Sequence, residues 1–75
     1  MPNGSFVAGY IKEEGRKFIA FWEKNGLRHD EFDLPDQNLD VIYLDFSGDS
    51  SLLALVCLAE DTKTMSVLIC ARSNW

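Results

Sequence analysis

Apolar residues come in short runs separated by polar clusters, and no window of about eleven or more positions carries the 3.6-residue stripe of an amphipathic helix. The pattern predicts strands. Ser5 to Ile11 reads as the first, ended by Lys12-Glu13-Glu14-Gly15-Arg16, a charged loop closed by glycine. Phe18 to Trp22 then puts apolar groups on both faces and runs into Asn25-Gly26. That dipeptide is the strongest short hairpin signal, because a two-residue turn with positive φ at both positions matches strand twist, and Asn and Gly accept it cheaply. The return arm, Leu27 to Leu34, carries Arg28, His29, Asp30, Glu31 and Asp33 and is largely wet. A strand buried on both faces beside a solvated one describes the inner and outer parts of a stacked sheet.

Pro35-Asp36-Gln37-Asn38 breaks the pattern, since proline lacks a donor and its neighbours favour turns. Leu39 to Phe46 follows as a strand, with Ile42, Leu44 and Phe46 expected on one face and Val41, Tyr43 and Asp45 on the other. Ser47 to Ser51 is a dense turn cluster. Leu52 to Ala59 is apolar on both faces, and its length alone leaves helix or strand open. The turn clusters at its ends favour a strand, although Leu and Ala lean towards helix by intrinsic propensity. Glu60 to Thr64 makes another turn, and Ser66 to Ala71 is a last strand before Arg72-Ser73-Asn74-Trp75.

The expected fold is therefore all-β, an antiparallel meander of about six strands. A repeat runs through it. Phe6-Val7-Ala8 parallels Leu52-Leu53-Ala54 at an offset of 46 residues, and Phe18-Ile19-Ala20 parallels Val67-Leu68-Ile69 at 49. Offsets of that size match the ~40 to 50 residues of a four-stranded propeller blade. Residues 1–34 would supply three strands of one blade, the polar arm being its outer, fourth strand, and residues 39–75 three strands of the next, with Leu39 to Phe46 innermost.

Composition narrows the function classes. Seventy-five residues allow one small domain at most, near the size where a single core barely offsets chain entropy without a disulfide, a metal or a partner. With 47% hydrophobic and 12% aromatic residues the chain is too apolar to be disordered, so something has to cover that surface. A net charge of -5 points the wrong way for a phosphate backbone, and direct nucleic-acid binding is not expected. Cys57 and Cys70 lie in apolar runs without a Cys-x-x-Cys spacing, and read as reduced, buried small hydrophobes of a cytosolic protein. Met1 to Ser5 lacks the basic start of a secretory signal, and Leu52 to Ala59 is too short to span a bilayer, so no membrane partner is expected.

Candidate chemistry is thin. His29, Asp30 and Glu31 are the densest set of possible ligands or acid-base groups. Strand alternation would put His29 and Glu31 on one face and Asp30 on the other, two ligands where zinc wants three or four. A solvated outer strand with cross-strand ion pairs outweighs a metal site there. Ser47, Ser50 and Ser51 lack a Gly-x-Ser-x-Gly elbow, and the glycines occur singly, so no nucleophile and no phosphate cradle is expected. The reading is no catalytic residue, no metal and no cofactor. Phe18, Phe21, Trp22, Tyr43 and Phe46 read as packing groups before they read as a ligand platform.

The segment Phe21-Trp22-Glu23-Lys24-Asn25-Gly26-Leu27-Arg28-His29-Asp30-Glu31-Phe32 closely resembles the Phe-Phe-Glu-(Arg or Lys)-Asn-Gly-Leu-Arg-His-Gly-Glu-Phe segment of the family of the largest Elongator subunit. Ser47 to Ala54, Leu58 to Asp61 and Arg72-Ser73-Asn74-Trp75 are similar to further stretches of that family, so the resemblance covers nearly the whole chain. It implies a piece of an N-terminal WD-repeat propeller in a large scaffold, whether a truncated product or an excised segment. It also implies an assembly that modifies wobble uridines of transfer RNA, with catalysis in another subunit. The partners implied are other Elongator subunits or the rest of the propeller, and the implied place is the cytoplasm, with the nucleus second. Asn25, Gly26, Leu27, Arg28, His29, Glu31 and Phe32 match the family motif and are expected to be structural or interface positions. Two positions depart from it: Asp30 stands where the family usually has Gly, and Cys70 where a Trp is expected. The competing expectation is a self-contained β-barrel or sandwich acting as a protein-binding module, whose first and last strands would be hydrogen-bonded to each other.

Overall fold

Six strands form where the pattern places them: β1 (Phe6–Glu13), β2 (Arg16–Glu23), β3 (Arg28–Asp33), β4 (Leu39–Phe46), β5 (Leu52–Ala59) and β6 (Met65–Ala71). The computed structural model describes residues 6–49 and 51–71, so the expectation about Arg72 to Trp75 lies outside the described residues. All pairings are antiparallel, in two three-stranded sheets of order β1-β2-β3 and β4-β5-β6. Among the described residues β1 pairs with β2 and β6 with β5, so the chain does not close on itself as the self-contained module requires.

Turn chemistry sets the sheet ends, and two turns differ from expectation. The charged loop expected over Lys12 to Arg16 is a tight turn, because Glu13 pairs with Arg16 and only Glu14 and Gly15 lie between. Gly15 has φ +80°, the left-handed conformation that a type II turn needs at its second central position. At the central hairpin, positive φ at both Asn25 and Gly26 is not what forms. Only Gly26 adopts it, at φ +95°, while Glu23 accepts from the Gly26 amide at 2.8 Å and donates to the Leu27 carbonyl at 2.8 Å. The connection is the three-residue loop Lys24-Asn25-Gly26, a turn followed by a left-handed glycine. The Asn25 side chain accepts from the Leu27 amide at 3.0 Å and fixes the exit.

The two sheets pack face to face through one core. Ile19 and Phe21 of β2 meet Leu53, Leu55 and Cys57 of β5, Leu39 of β4 and Cys70 of β6, with Leu34 closing one end. The alternate residues Phe18 and Ala20 are buried on the opposite side of β2, so this strand is covered on both faces. The Arg16 guanidinium lies 4.0 Å from the Phe18 ring centroid and that of Arg28 5.0 Å from Trp22.

Two bulges shift side chains from the faces that alternation assigns. In β3, Phe21 pairs with Asp30 and Trp22 with Arg28, leaving His29 as the extra residue. In β4, Val41 pairs with Cys57 and Tyr43 with Val56, leaving Ile42 over. The expected grouping of Ile42 with Leu44 and Phe46 is therefore wrong: Val41, Leu44 and Phe46 pack on the core, while Ile42 is 53% exposed. No helix among the described residues is long and apolar enough to cross a membrane.

Candidate interface

The corner where the sheets join is held by polar contacts. Gln37, in the linker from β3 to β4, accepts from the Lys17 amide at 2.8 Å and donates to the Lys17 and Leu34 carbonyls at 3.0 and 2.9 Å. A side-chain amide thus continues the β-ladder past the end of β3, where the Leu34 amide makes a last bond to the Lys17 carbonyl at 3.1 Å. Lys17 itself is 8% exposed. Its ammonium donates to the Leu39 carbonyl at 3.2 Å, pairs with Glu60 and lies 3.4 Å from Asp40. Lys12 adds contacts of 3.3 Å to Asp40 and 3.6 Å to Glu60.

Tyr10 completes this cluster, its hydroxyl donating to Asp40 at 2.8 Å. That hydrogen bond, with help from Lys12 and Lys17, holds the Asp40 carboxyl down at about 2. Burial, followed by the Asp40 bond, pushes the Tyr10 phenol well above its ordinary range. Glu60 raises the Lys17 pKa against the desolvation that would lower it. Sequence reading passed over Lys17, Gln37, Asp40 and Glu60, because the partners lie up to 43 residues apart and only sheet stacking brings them together.

Along the β3 arm the motif residues separate into three places. Glu31 accepts from Arg16 at 2.6 Å and from Arg28 at 2.5 Å, and Arg16 also bonds Asp33 at 2.8 Å. The Arg16 bond is the main cause of a lowered Glu31 pKa. This network covers the outer side of β2. His29 does not join it, for the bulge turns the imidazole to Phe6, with ring centroids 4.5 Å apart. The expectation that His29 and Glu31 share a face is therefore overturned. Phe32 packs against the core, while Leu27 at the hairpin tip is 61% exposed. Asn25 and Gly26 shape the turn.

No group of three or more His, Cys, Asp or Glu side chains among the described residues is placed to hold a metal ion. Cys57 and Cys70 are free and buried, and burial pushes both thiols up. Cys57 pairs with Ser66 and Cys70 with Leu53, so the two lie about four residues, roughly 13 Å, apart along the strands, beyond disulfide reach.

The second sheet turns an apolar face to solvent. Leu52, Ala54, Val56 and Leu58 of β5 alternate with the inward Leu53, Leu55 and Cys57, and pair with Ala71, Ile69, Val67 and Met65 of β6. Met65, Val67 and Ile69 are each about 60% exposed.

A model of the family described as the ELP1 first N-terminal beta-propeller matches residues 1–75. Elongator complex protein 1 of Drosophila melanogaster is 33% identical over 76 residues, which cover 99% of this chain and 6% of that protein. Putative elongator complex protein 1 of Xenopus laevis is likewise 33% identical, with the same coverage. Elongator complex protein 1 of Oryctolagus cuniculus is 38% identical over 56 residues, 72% of this chain and 4% of that protein. No solved structure matches the chain significantly. The chain thus spans about 6% of the length of the first two relatives. Its all-strand architecture and a family match from end to end agree: the chain belongs to the family of the first N-terminal β-propeller of Elongator complex protein 1.

Proposed function

We propose that the chain is a non-catalytic scaffold segment of an Elongator assembly, contributing parts of two neighbouring propeller blades. Strands β1 to β3 are the second to fourth strands of one blade, and β4 to β6 the first to third of the next. One observation carries this reading. Residues 6–13 and 52–59 form β1 and β5 at the offset of 46, and the ladder registers set β2 against β6 at an offset of 48, so the inward-facing Phe6, Ala8, Tyr10, Ile19 and Phe21 correspond to Leu52, Ala54, Val56, Val67 and Ile69. The face by which the first sheet receives the second is thus repeated on the outer side of the second, where another sheet of the same kind would sit. Phe18 and Val67, matched at 49 residues in the sequence, lie on opposite sides of this scheme, and the ladders put Ile19 against Val67 at 48 instead.

In this role Asn25, Gly26 and Phe32 shape the hairpin, Arg28 and Glu31 cover β2, His29 caps Phe6, and Leu27 is the contact residue at the tip. The work of the assembly is modification of wobble uridines in transfer RNA, with the chemistry in another subunit, and the chain acts in the cytoplasm, with the nucleus as second site. The test replaces the corresponding segment of a relative's Elongator complex protein 1 by this chain. The chimera is expected to assemble with the other subunits and to restore wobble modification measured by mass spectrometry of the tRNA nucleosides. A chimera that is stable and soluble yet excluded from the assembly would sink the reading.

A further inference from the structure

The repeat between the two sheets breaks at one corner. Where the first sheet receives the second, Tyr10, Lys12 and Lys17 stand at the end of the face, and the ladder registers set them against Val56, Leu58 and Met65 of the second sheet. Lys12 pairs directly with Lys17, as Leu58 pairs with Met65. Two ammonium groups directly opposite one another on one face of an antiparallel pair repel, so this corner is unfavourable in the first sheet taken alone. The apolar pair at the same place in the second sheet carries no such penalty. Faces that are otherwise alike would accept any sheet of the same kind, and the corner is where they differ.

What relieves the repulsion comes from the second sheet, and both halves of the contact lie within the described residues. Asp40, near the start of β4, lies 3.3 Å from the Lys12 ammonium and 3.4 Å from that of Lys17, and accepts from the Tyr10 hydroxyl at 2.8 Å. Glu60, just after β5, pairs with Lys17 and lies 3.6 Å from Lys12. A partner sheet without these carboxylates would leave the buried Lys17 desolvated and without a counter-charge. Set instead against a corner like that of Val56, Leu58 and Met65, Asp40 and Glu60 would find no cation. We infer that Lys12 and Lys17 with Tyr10 on one side, and Asp40 and Glu60 on the other, are the specificity-determining residues of the sheet-to-sheet contact. The first face accepts a sheet that brings two carboxylates to this corner and rejects one that does not, whereas the face of Val56, Leu58 and Met65 fits a sheet whose corner is uncharged. The cluster selects between partners and adds little to cohesion, because a matched uncharged corner would hold as well.

This deepens the blade reading by saying which sheet sits beside which, yet it stands on contacts inside the chain, and its failure would leave family membership and the chimera experiment untouched. Urea unfolding of the whole chain at neutral pH separates selection from cohesion. Asp40→Asn with Glu60→Gln removes one side, and Lys17→Met, which supplies the residue that the second sheet has there, removes the other. Each is expected to raise the unfolding equilibrium constant at least about tenfold. The triple variant removes both sides together and is expected to return to within about threefold of wild type. Lys12→Leu should recover at least about threefold in the Asp40→Asn/Glu60→Gln chain, by abolishing the like-charge pair, and shift wild type by less than that. If a one-sided variant is too unstable to fold, the return of a cooperative transition in the triple variant carries the same information. One-sided variants as stable as wild type, a triple variant whose loss is the sum of the two, or a Lys12→Leu change that recovers nothing would each overturn the assignment.

Discussion

Gln37 shows how much can hang on one side chain at a sheet end. It sits in the five-residue linker between β3 and β4 and looks like turn filler, yet it supplies one acceptor and two donations to backbone groups of Lys17 and Leu34. Gln37→Ala is expected to destabilise the fold by about 1 kcal/mol, read from the urea midpoint. Gln37→Glu turns the donor into an acceptor facing two carbonyls and should recover none of that loss. Asp40 makes the neighbouring contact pH-dependent. Its folded pKa of about 2 lies below the ordinary 3.8, so on acidification the unfolded chain takes up the proton first. The stability it contributes is present above about pH 4 and is lost as pH falls through about 2. Asp49, held at about 2 chiefly by the Ser51 hydroxyl and amide and by Ser47, acts over the same window, so Asp40→Asn must be compared with Asp49→Asn. Urea midpoints between pH 5 and pH 2 should fall less steeply in Asp40→Asn, and a further flattening is expected in the double variant. An unchanged slope in Asp40→Asn would mean that the Tyr10 to Asp40 bond does not form in solution.

At the scale of elements, turns can be tested directly. Gly26 sits at φ +95°, so Gly26→Ala is expected to cost about 1–2 kcal/mol in thermal or urea unfolding. Gly48 lies outside the left-handed region with open space around it, and Gly48→Ala should fall within about 0.5 kcal/mol of wild type. This contrast also separates what the sequence made legible from what it did not. β4 and β5 have the residues expected of them, because dense turn clusters bound both runs and an apolar stretch of that length has little else to do. The bulges at Ile42 and His29 were hidden, since a bulge is a mismatch between two strands and neither strand encodes it alone. The His29-Glu31 pairing failed for that reason, whereas the wet character of the arm, which needs only its own residues, was readable. Lys17 was hidden too: a lysine beside an apolar run looks like a strand end until Leu39, Asp40 and Glu60 arrive from the other sheet.

For the whole molecule the question is whether two three-stranded sheets fold as one unit. Neither is large enough to bury its own apolar face, and the core cluster draws Ile19 and Phe21 from one sheet and Leu53, Leu55 and Cys57 from the other. A domain of this size has a net stability of roughly 4 to 11 kcal/mol, so losing the inter-sheet contact should unfold both partners together. Two reporters sit on opposite sheets: Trp22 on β2, made the sole tryptophan by Trp75→Phe, and the buried thiols of Cys57 and Cys70 on β5 and β6. Burial raises both thiol pKa values, so alkylation near neutral pH should wait for unfolding. Urea curves from Trp22 fluorescence and from thiol labelling at equilibrium are expected to coincide. Ile19→Val, a core change on the first sheet alone that costs about 0.5–1.5 kcal/mol, should move both midpoints by the same amount. If it moved the Trp22 signal and left thiol exposure where it was, the sheets would be separate folding units, and the shared core would be a contact between finished parts.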